Sequence, residues 1–258
     1  MSTGTTQARA PRATAGAPAC PVCDGGAAPY AAKDGYDFVR CAECGFVYLE
    51  RMPGDAELAA LYNADAGAAS YRAKWRSRTR RAHMKLPRFY RYARGKAALD
   101  LGCGGGIVVA ALGRIAERAV GLDIDKAAVA FARTRFPRHE FIAADYRAAD
   151  VADGAFDFVH ASEIIEHLND LEAFMGFLAR ITRPGGHVYV TTPDIGHPKV
   201  PADVRDWDLF SPPRHVQFFD RTTLARLFAR HGFEERRKYH DAKPGLQMLF
   251  RKAMGASR

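Results

Sequence analysis

Long apolar runs are missing from this chain of 258 residues. The longest, such as Ile107 to Leu112, falls far short of the roughly 20 residues that a bilayer-spanning helix needs. The opening stretch MSTGTTQARAPRATAGAPA has Arg and Pro but no apolar centre, so it does not read as a secretory signal. Its small-residue composition predicts a disordered lead-in over residues 1–17, and the expected location is the cytosol. Acid is missing from Tyr71 to Leu99, a segment that carries eleven Lys or Arg and outweighs the net charge of +9. Internal repeats are missing too, which excludes a solenoid.

What is present falls into blocks. Hydrophobic residues make up 48% of the chain and charged residues 26%, so most of it can bury a core. Four of the five cysteines lie in residues 18–50, as CPVC, seventeen residues, then CAECG. Two Cys-x-x-Cys knuckles at that separation predict a four-cysteine structural zinc site of Cys20, Cys23, Cys41 and Cys44. With all four positions filled by thiolates, that zinc would be closed and non-catalytic. Residues 51–95 predict a helical linker or cap, with a short acid-bearing helix over Gly54 to Tyr62 and then the basic segment. There Tyr71, Trp75, Ala82, Leu86, Phe89 and Ala93 recur at helical spacing, with Pro87 starting a second helix or kinking the first. The cations read either as a solvated face or as an electropositive rim for a phosphate-bearing substrate or nucleic acid.

From Lys96 to the end, short apolar strands alternate with helical segments, the pattern of an α/β fold with a largely parallel sheet. AALDLGCGGG at 97–106 is a strand, a glycine turn and then an apolar helical start, which lets a ligand approach the backbone closely. The next strand ends in Asp123, about twenty residues on, where an acid can accept both hydroxyls of a ribose. A third ends in Asp145, and a fourth runs into SEIIEHL. A dinucleotide is the rival ligand, but it favours Gly-x-Gly-x-x-Gly spacing, and no hydride-transfer constellation follows. Cys103, inside the turn, reads as a small packed residue.

These motifs, LDLGCGGG, GLDID, IAADY and LARITRPGGHVYVTTPD, resemble in order and spacing those of class I S-adenosylmethionine-dependent methyltransferases. The resemblance implies a Rossmann-like seven-stranded sheet with helices on both faces, over residues 96–258, ending in an antiparallel hairpin with GLQMLFRK as last strand. It places Gly102 and Gly104 under the methionine part of the donor, Asp100 near its amino group, Asp123 on the ribose, and Asp145 and Tyr146 beside the adenine.

SEIIEHL predicts one helical face carrying Glu163, Glu166 and His167. Three roles stand open: a polar helix start, a general base supplied by His167 or His215 with Glu166 beside it, or a divalent metal such as Mg or Mn held by Glu163, Glu166, His167 and His215. The Glu-x-x-Glu-His pattern resembles ubiquinone-pathway O-methyltransferases and metal-dependent small-RNA 2′-O-methyltransferases. In the latter a later histidine completes the set, although here Arg214 precedes His215. The loop between TTPD and His215 reads either as a lid or substrate selector, with His197, Trp207 and Phe210 as acceptor contacts, or as a packing loop whose Trp is buried. A zinc ribbon ahead of such a domain resembles bacterial enzymes that methylate nucleotide-linked sugars or natural products. The expected reaction is O-methylation of a small or nucleotide-linked acceptor. C- or N-methylation and RNA 2′-O-methylation are the alternatives, and a nucleic-acid-binding ribbon on a non-catalytic scaffold is the rival of another class.

Overall fold

Four parallel strand pairings organise the larger body in the computed structural model, which describes residues 19–58 and 75–254. The expected lead-in over 1–17, Tyr71, and the acid-bearing helix beyond a helical turn at 55–58 lie outside the described residues. Strands β4 (Ala97–Leu101), β5 (Arg118–Asp123), β6 (Glu140–Ala143), β7 (Phe156–Ser162) and β8 (Thr182–Pro193) run parallel, in the order β8-β7-β4-β5-β6. β10 (Phe233–Lys238) and β11 (Gly245–Lys252) add the expected antiparallel hairpin on the β8 edge, completing seven strands. β4 and β7 are almost wholly buried because helices cover both faces, so they read as apolar runs rather than as alternation.

The helices follow their local signals. Asp125 accepts from the amides of Ala127 and Ala128 at the start of α3 (Lys126–Arg135), described below with α1 (Trp75–Ala93) and α2 (Ile107–Leu112). Asp170 caps α4 (Leu171–Ile181), which buries Leu171, Phe174, Met175, Leu178 and Ile181 on the sheet. Asp220 and Thr223 form a reciprocal capping box on α5 (Arg221–Arg230). α1 continues through Pro87 instead of restarting there. Phe89, near its end, packs on Phe158 and Tyr189 at centroid distances of 5.2 and 4.8 Å. Trp75, at its start, stacks on Phe136 at 6.0 Å. Anchored at both ends, α1 runs from the glycine turn at the carboxyl edge, past Phe158 and Tyr189, back to the start of β4.

The cysteine segment forms a second sheet from β1 (Ala27–Lys33), β2 (Tyr36–Cys41) and β3 (Val47–Leu49). Its fourth strand, β9 (Gln217–Phe218), comes from the far end of the chain, with Val47 opposite Phe218 and Tyr48 opposite Gln217. The long loop before β9 supplies the core between the two bodies. Trp207 and Phe210 are buried with Phe38, Val47, Leu49 and Phe218, and the Phe38 and Phe210 rings lie 4.5 Å apart. Of the two readings of this loop, the packing one holds for these rings and acceptor contact does not: both serve the ribbon–loop core, because a roughly 30-residue module has too little apolar surface of its own.

Candidate functional site

The glycine turn after β4 takes the backbone where other residues cannot follow. Gly102 and Gly104 have φ of +70° and +47°. A Cβ on Gly102 would also stand 2.8 Å from the Ile164 side chain. The turn is held by Asp123, whose Oδ2 accepts from the Gly104 amide at 2.7 Å while Oδ1 accepts from the Asp125 amide at 2.8 Å. Burial pushes the Asp123 carboxyl up, against the pull of those two amides. The next residue, Ile124, is 60% exposed and offers an apolar surface beside that acid.

Asp100 lies one strand over. It is buried opposite His160 of β7, whose Nδ1 stands 2.7 Å from its Oδ1. The imidazole is stacked on Tyr189 at 5.5 Å and meets Phe89 edge-on at 5.6 Å. Asp100, Gly102, Gly104 and Asp123 share the wall of one cavity of about 780 Å³. Asp145 and Tyr146 are not on that wall. Asp145 caps a 3-10 turn at Tyr146–Ala148 and grips Arg147 at 2.6 Å, and that guanidinium holds the Asp145 carboxyl below its usual range. Tyr146 rests on Phe174 and Phe177, each at 5.6 Å.

SEIIEHL is not a helix with one shared face. Glu163 has φ of +56°, and only Ile165–His167 forms a 3-10 turn, so the expected face is broken at its first member. A left-handed glutamate costs on the order of 1–3 kcal/mol and persists only where its surroundings fix it. Here Ser162 Oγ lies 2.6 Å from Thr191 Oγ1, which donates to Glu163 Oε1 at 2.6 Å. Glu163 consequently faces the cavity, together with Ser162 and Thr191. Glu166 is off the cavity wall and fully buried, close enough to Glu163 to feel its charge; its Oε2 accepts from Thr192 at 2.9 Å, while Oε1 has no hydrogen-bond partner among the described residues. Burial, then the Glu163 charge, push the Glu166 carboxyl well above its ordinary range.

His167 and His215 stand beside Glu166, with ring centroids 4.8 Å apart. His167 Nδ1 contacts the Arg214 carbonyl at 2.7 Å and His215 Nδ1 the Leu209 carbonyl at 2.6 Å. Each Nδ1 therefore carries the proton, and His167 Nε2 comes within 3.8 Å of Glu166 Oε1. Burial lowers both imidazoles, His167 to about 4 with the His215 charge adding to it. Ligand atoms of Glu166, His167 and His215 lie within 4.8 Å of one another. Glu163, the fourth expected member, is outside that group because Thr191 holds it toward the cavity.

The ribbon cysteines meet as expected. Cys20 and Cys44 sulfurs are 3.6 Å apart, Cys23 and Cys41 3.4 Å, and all four lie within 4.8 Å. That is too far for a disulfide and near the edge of about 3.8 Å that a tetrahedron with Zn–S bonds of about 2.3 Å requires. The Cys44 amide also points at Cys41 Sγ, 3.5 Å away, the turn expected of a metal knuckle.

Two features of the cavity escape sequence reasoning. His160 sits in the apolar run FDFVHAS, where alternation gives no sign of which ring faces Asp100. Lys85 is one of eleven cations in its segment. Only the anchored orientation of α1 turns it, with Arg78 and Arg81, onto the cavity wall.

Comparison with known proteins follows the same geometry. Residues 70–237 match the family model described as a methyltransferase domain. A probable S-adenosylmethionine-dependent methyltransferase of Mycolicibacterium smegmatis is 34% identical over 115 residues, covering 45% of each chain. A ubiquinone biosynthesis O-methyltransferase of Rhizobium etli is 34% identical over 111 residues, covering 41% of this chain and 44% of that protein. The matches thus span less than half the length of these curated relatives. Among solved structures, the Burkholderia thailandensis 1,6-didemethyltoxoflavin-N1-methyltransferase, bound to 1,6-didemethyltoxoflavin and S-adenosylhomocysteine, superposes with a TM-score of 0.58. It is 17% identical and covers 87% of this chain and 99% of its own, a likeness of fold.

Proposed function

This chain belongs to the methyltransferase-domain family, and from that premise we propose that it transfers the methyl group of S-adenosylmethionine to an oxygen of a small or nucleotide-linked acceptor. One observation carries the reading: a single cavity joins the glycine turn, Asp100 and Asp123 to the polar group of Ser162, Glu163 and Thr191. The donor supplies a methyl on a sulfonium, and its C–S bond breaks, with the electron pair going to sulfur, as an acceptor lone pair forms the new bond. Gly102 and Gly104 leave room for the methionine part, Asp100 faces its ammonium, and Asp123 faces the ribose. Ile124 offers the adenine an apolar face, with Asp145 and Tyr146 on the flank beyond it.

Glu163 is the base this reading favours. It lines the cavity, whereas His167, His215 and Glu166 stand behind it. Its carboxylate takes the acceptor hydroxyl proton as the oxygen becomes an ether, so charge is conserved. Thr191 and Ser162 hold it in line. Labelled methyl transfer from S-adenosylmethionine into a cell extract, fractionated into small molecules, lipid and RNA, tests the proposal. Label in the small-molecule fraction supports it, and label only in RNA contradicts it.

The four thiolates fit a structural zinc in the ribbon, held by Cys20, Cys23, Cys41 and Cys44. A second reading rests on the buried, unpartnered Oε1 of Glu166. Glu166, His167 and His215 are a donor set of two imidazoles and one carboxylate, which suits zinc, iron or manganese better than magnesium. An ion there would hold the loop behind Glu163. Full activity after removal of every metal but the ribbon zinc contradicts that reading.

A further inference from the structure

Lys85 is the cation that the donor does not explain. Its ammonium is largely buried at the cavity wall, and burial lowers its pKa while the Glu163 charge opposes that. Its Nζ lies 5.8 Å from the centroid of the Tyr189 ring, and among the described residues no carboxylate comes within ion-pairing distance. Glu163 and Asp241 act on this ammonium only from beyond ion-pair distance, so a direct contact for an arriving anion is left open at the wall. Arg81, one turn earlier on α1, lines the same wall and likewise has no described ion-pair partner.

S-adenosylmethionine brings one carboxylate, so three cations exceed what it can use. Their order along α1 divides them. Trp75 lies over the glycine turn, 3.5 Å from the place a Cβ of Gly105 would occupy, and Arg78 is one turn from it, at the donor end. Arg81 and Lys85 lie successively farther along, toward Glu163, whose charge reaches Lys85. Beyond them stand polar groups that are already paired: Arg88 donates to Gln247 Oε1 at 2.6 Å, and Gln247 donates to Asp241 at 2.5 Å. These bonds leave Arg88 and Asp241 already engaged.

We propose that Arg81 and Lys85 form an anion subsite for the acceptor, which is a phosphate or diphosphate ester carrying the hydroxyl to be methylated. The inference rests on the methyltransferase reading and narrows its acceptor. The anion spans the two cations on α1, and the hydroxyl of the same molecule reaches Glu163 below. A guanidinium and an ammonium side by side suit phosphate oxygens, the first by paired donors and the second as a point charge. RNA shares the phosphate chemistry, and Arg81 is exposed, but the same wall carries Glu163 and the donor turn, which favours a small ester held inside one cavity of about 780 Å³ over a continuous strand.

Calorimetry on the full, zinc-loaded chain saturated with S-adenosylhomocysteine, titrated with inorganic pyrophosphate, tests this. Pyrophosphate should bind without displacing the nucleoside. Its affinity should fall at least tenfold in the Arg81→Gln/Lys85→Gln double variant, with S-adenosylhomocysteine affinity kept within about twofold, and should recover in Arg81→Lys. No binding, an unchanged double variant, or mutual displacement of the two ligands would overturn the subsite. Displacement would assign the cations to the donor carboxylate. A single-stranded RNA oligonucleotide that binds through Arg76 and Arg80, on the outer side of α1, while pyrophosphate does not bind, would overturn it too. Failure of S-adenosylhomocysteine to bind would instead strike the methyltransferase reading, and pyrophosphate titration of the unliganded chain would then decide the subsite alone.

Discussion

His160 Nδ1 and Asp100 Oδ1 stand 2.7 Å apart on adjacent parallel strands, both buried, at the base of the cavity. Asp100→Ala leaves the buried imidazole without its partner. Destabilisation of about 3 kcal/mol is expected, read from the urea midpoint at unchanged slope. Asp153→Ala removes an exposed pair with Arg180 and should cost under about 1 kcal/mol. Equal costs for the two would show that the buried pair is not structurally important.

Glu163→Gln keeps the shape and the hydrogen bond from Thr191 but removes the proton acceptor. The turnover number should fall about a hundredfold or more, with S-adenosylhomocysteine affinity little changed. A His215→Gln variant with the larger loss would move the base role behind the cavity wall.

The ribbon is coupled to the site through β9. Leu49 donates to the Val216 carbonyl and Val216 to the Glu166 carbonyl, each at 2.9 Å, and Gln217 donates to the carbonyls of Ile165 and Leu168. Stripping the four cysteines of metal should therefore disturb the Ile165–His167 turn as well as the ribbon. In a Trp75→Phe background, Trp207 is the sole tryptophan and is 6% exposed. Its emission should shift to the red on metal removal, alongside loss of activity. An emission change with full activity retained would uncouple the ribbon from the site.

His187 on β8 is half-buried, its ring 4.6 Å from Tyr92, and burial, with Arg251 and Lys96 nearby, lowers its pKa from about 6.5 to about 4. The unfolded chain takes up the proton first as pH falls. Stability from this group is thus complete above about pH 6.5 and declines between there and about pH 4. With the solvent exposure of the ring, a loss on the order of 1 kcal/mol is expected, and His187→Phe should flatten that part of the stability curve. A slope the variant leaves intact would place its origin in other groups.

The fold was largely legible because its signals are local. Strand, glycine turn and helix follow one another at 97–112, Asp123 ends the next strand, and the paired cysteine knuckles sit close in sequence. The site was legible only in part because its decisive features depend on register and on backbone sign. Nothing in SEIIEHL announces that Glu163 turns left-handed, so that it lines the cavity while Glu166 does not. Trp207 and Phe210 left lid and packing loop equally open in sequence, and the distant β9 strand decides it by drawing them into the ribbon core. The basic helix was plain, whereas the wall it faces was set by the anchors Trp75 and Phe89 at its two ends.

The central claim is that the turn at Gly102–Gly104, with Asp100 and Asp123, holds S-adenosylmethionine. Isothermal titration of the folded, zinc-loaded chain with S-adenosylmethionine tests it most directly. The account predicts one site per chain, weakened at least tenfold by Asp123→Ala and by Gly104→Val. Absence of heat from a chain whose melting is cooperative, or binding indifferent to both substitutions, would contradict it.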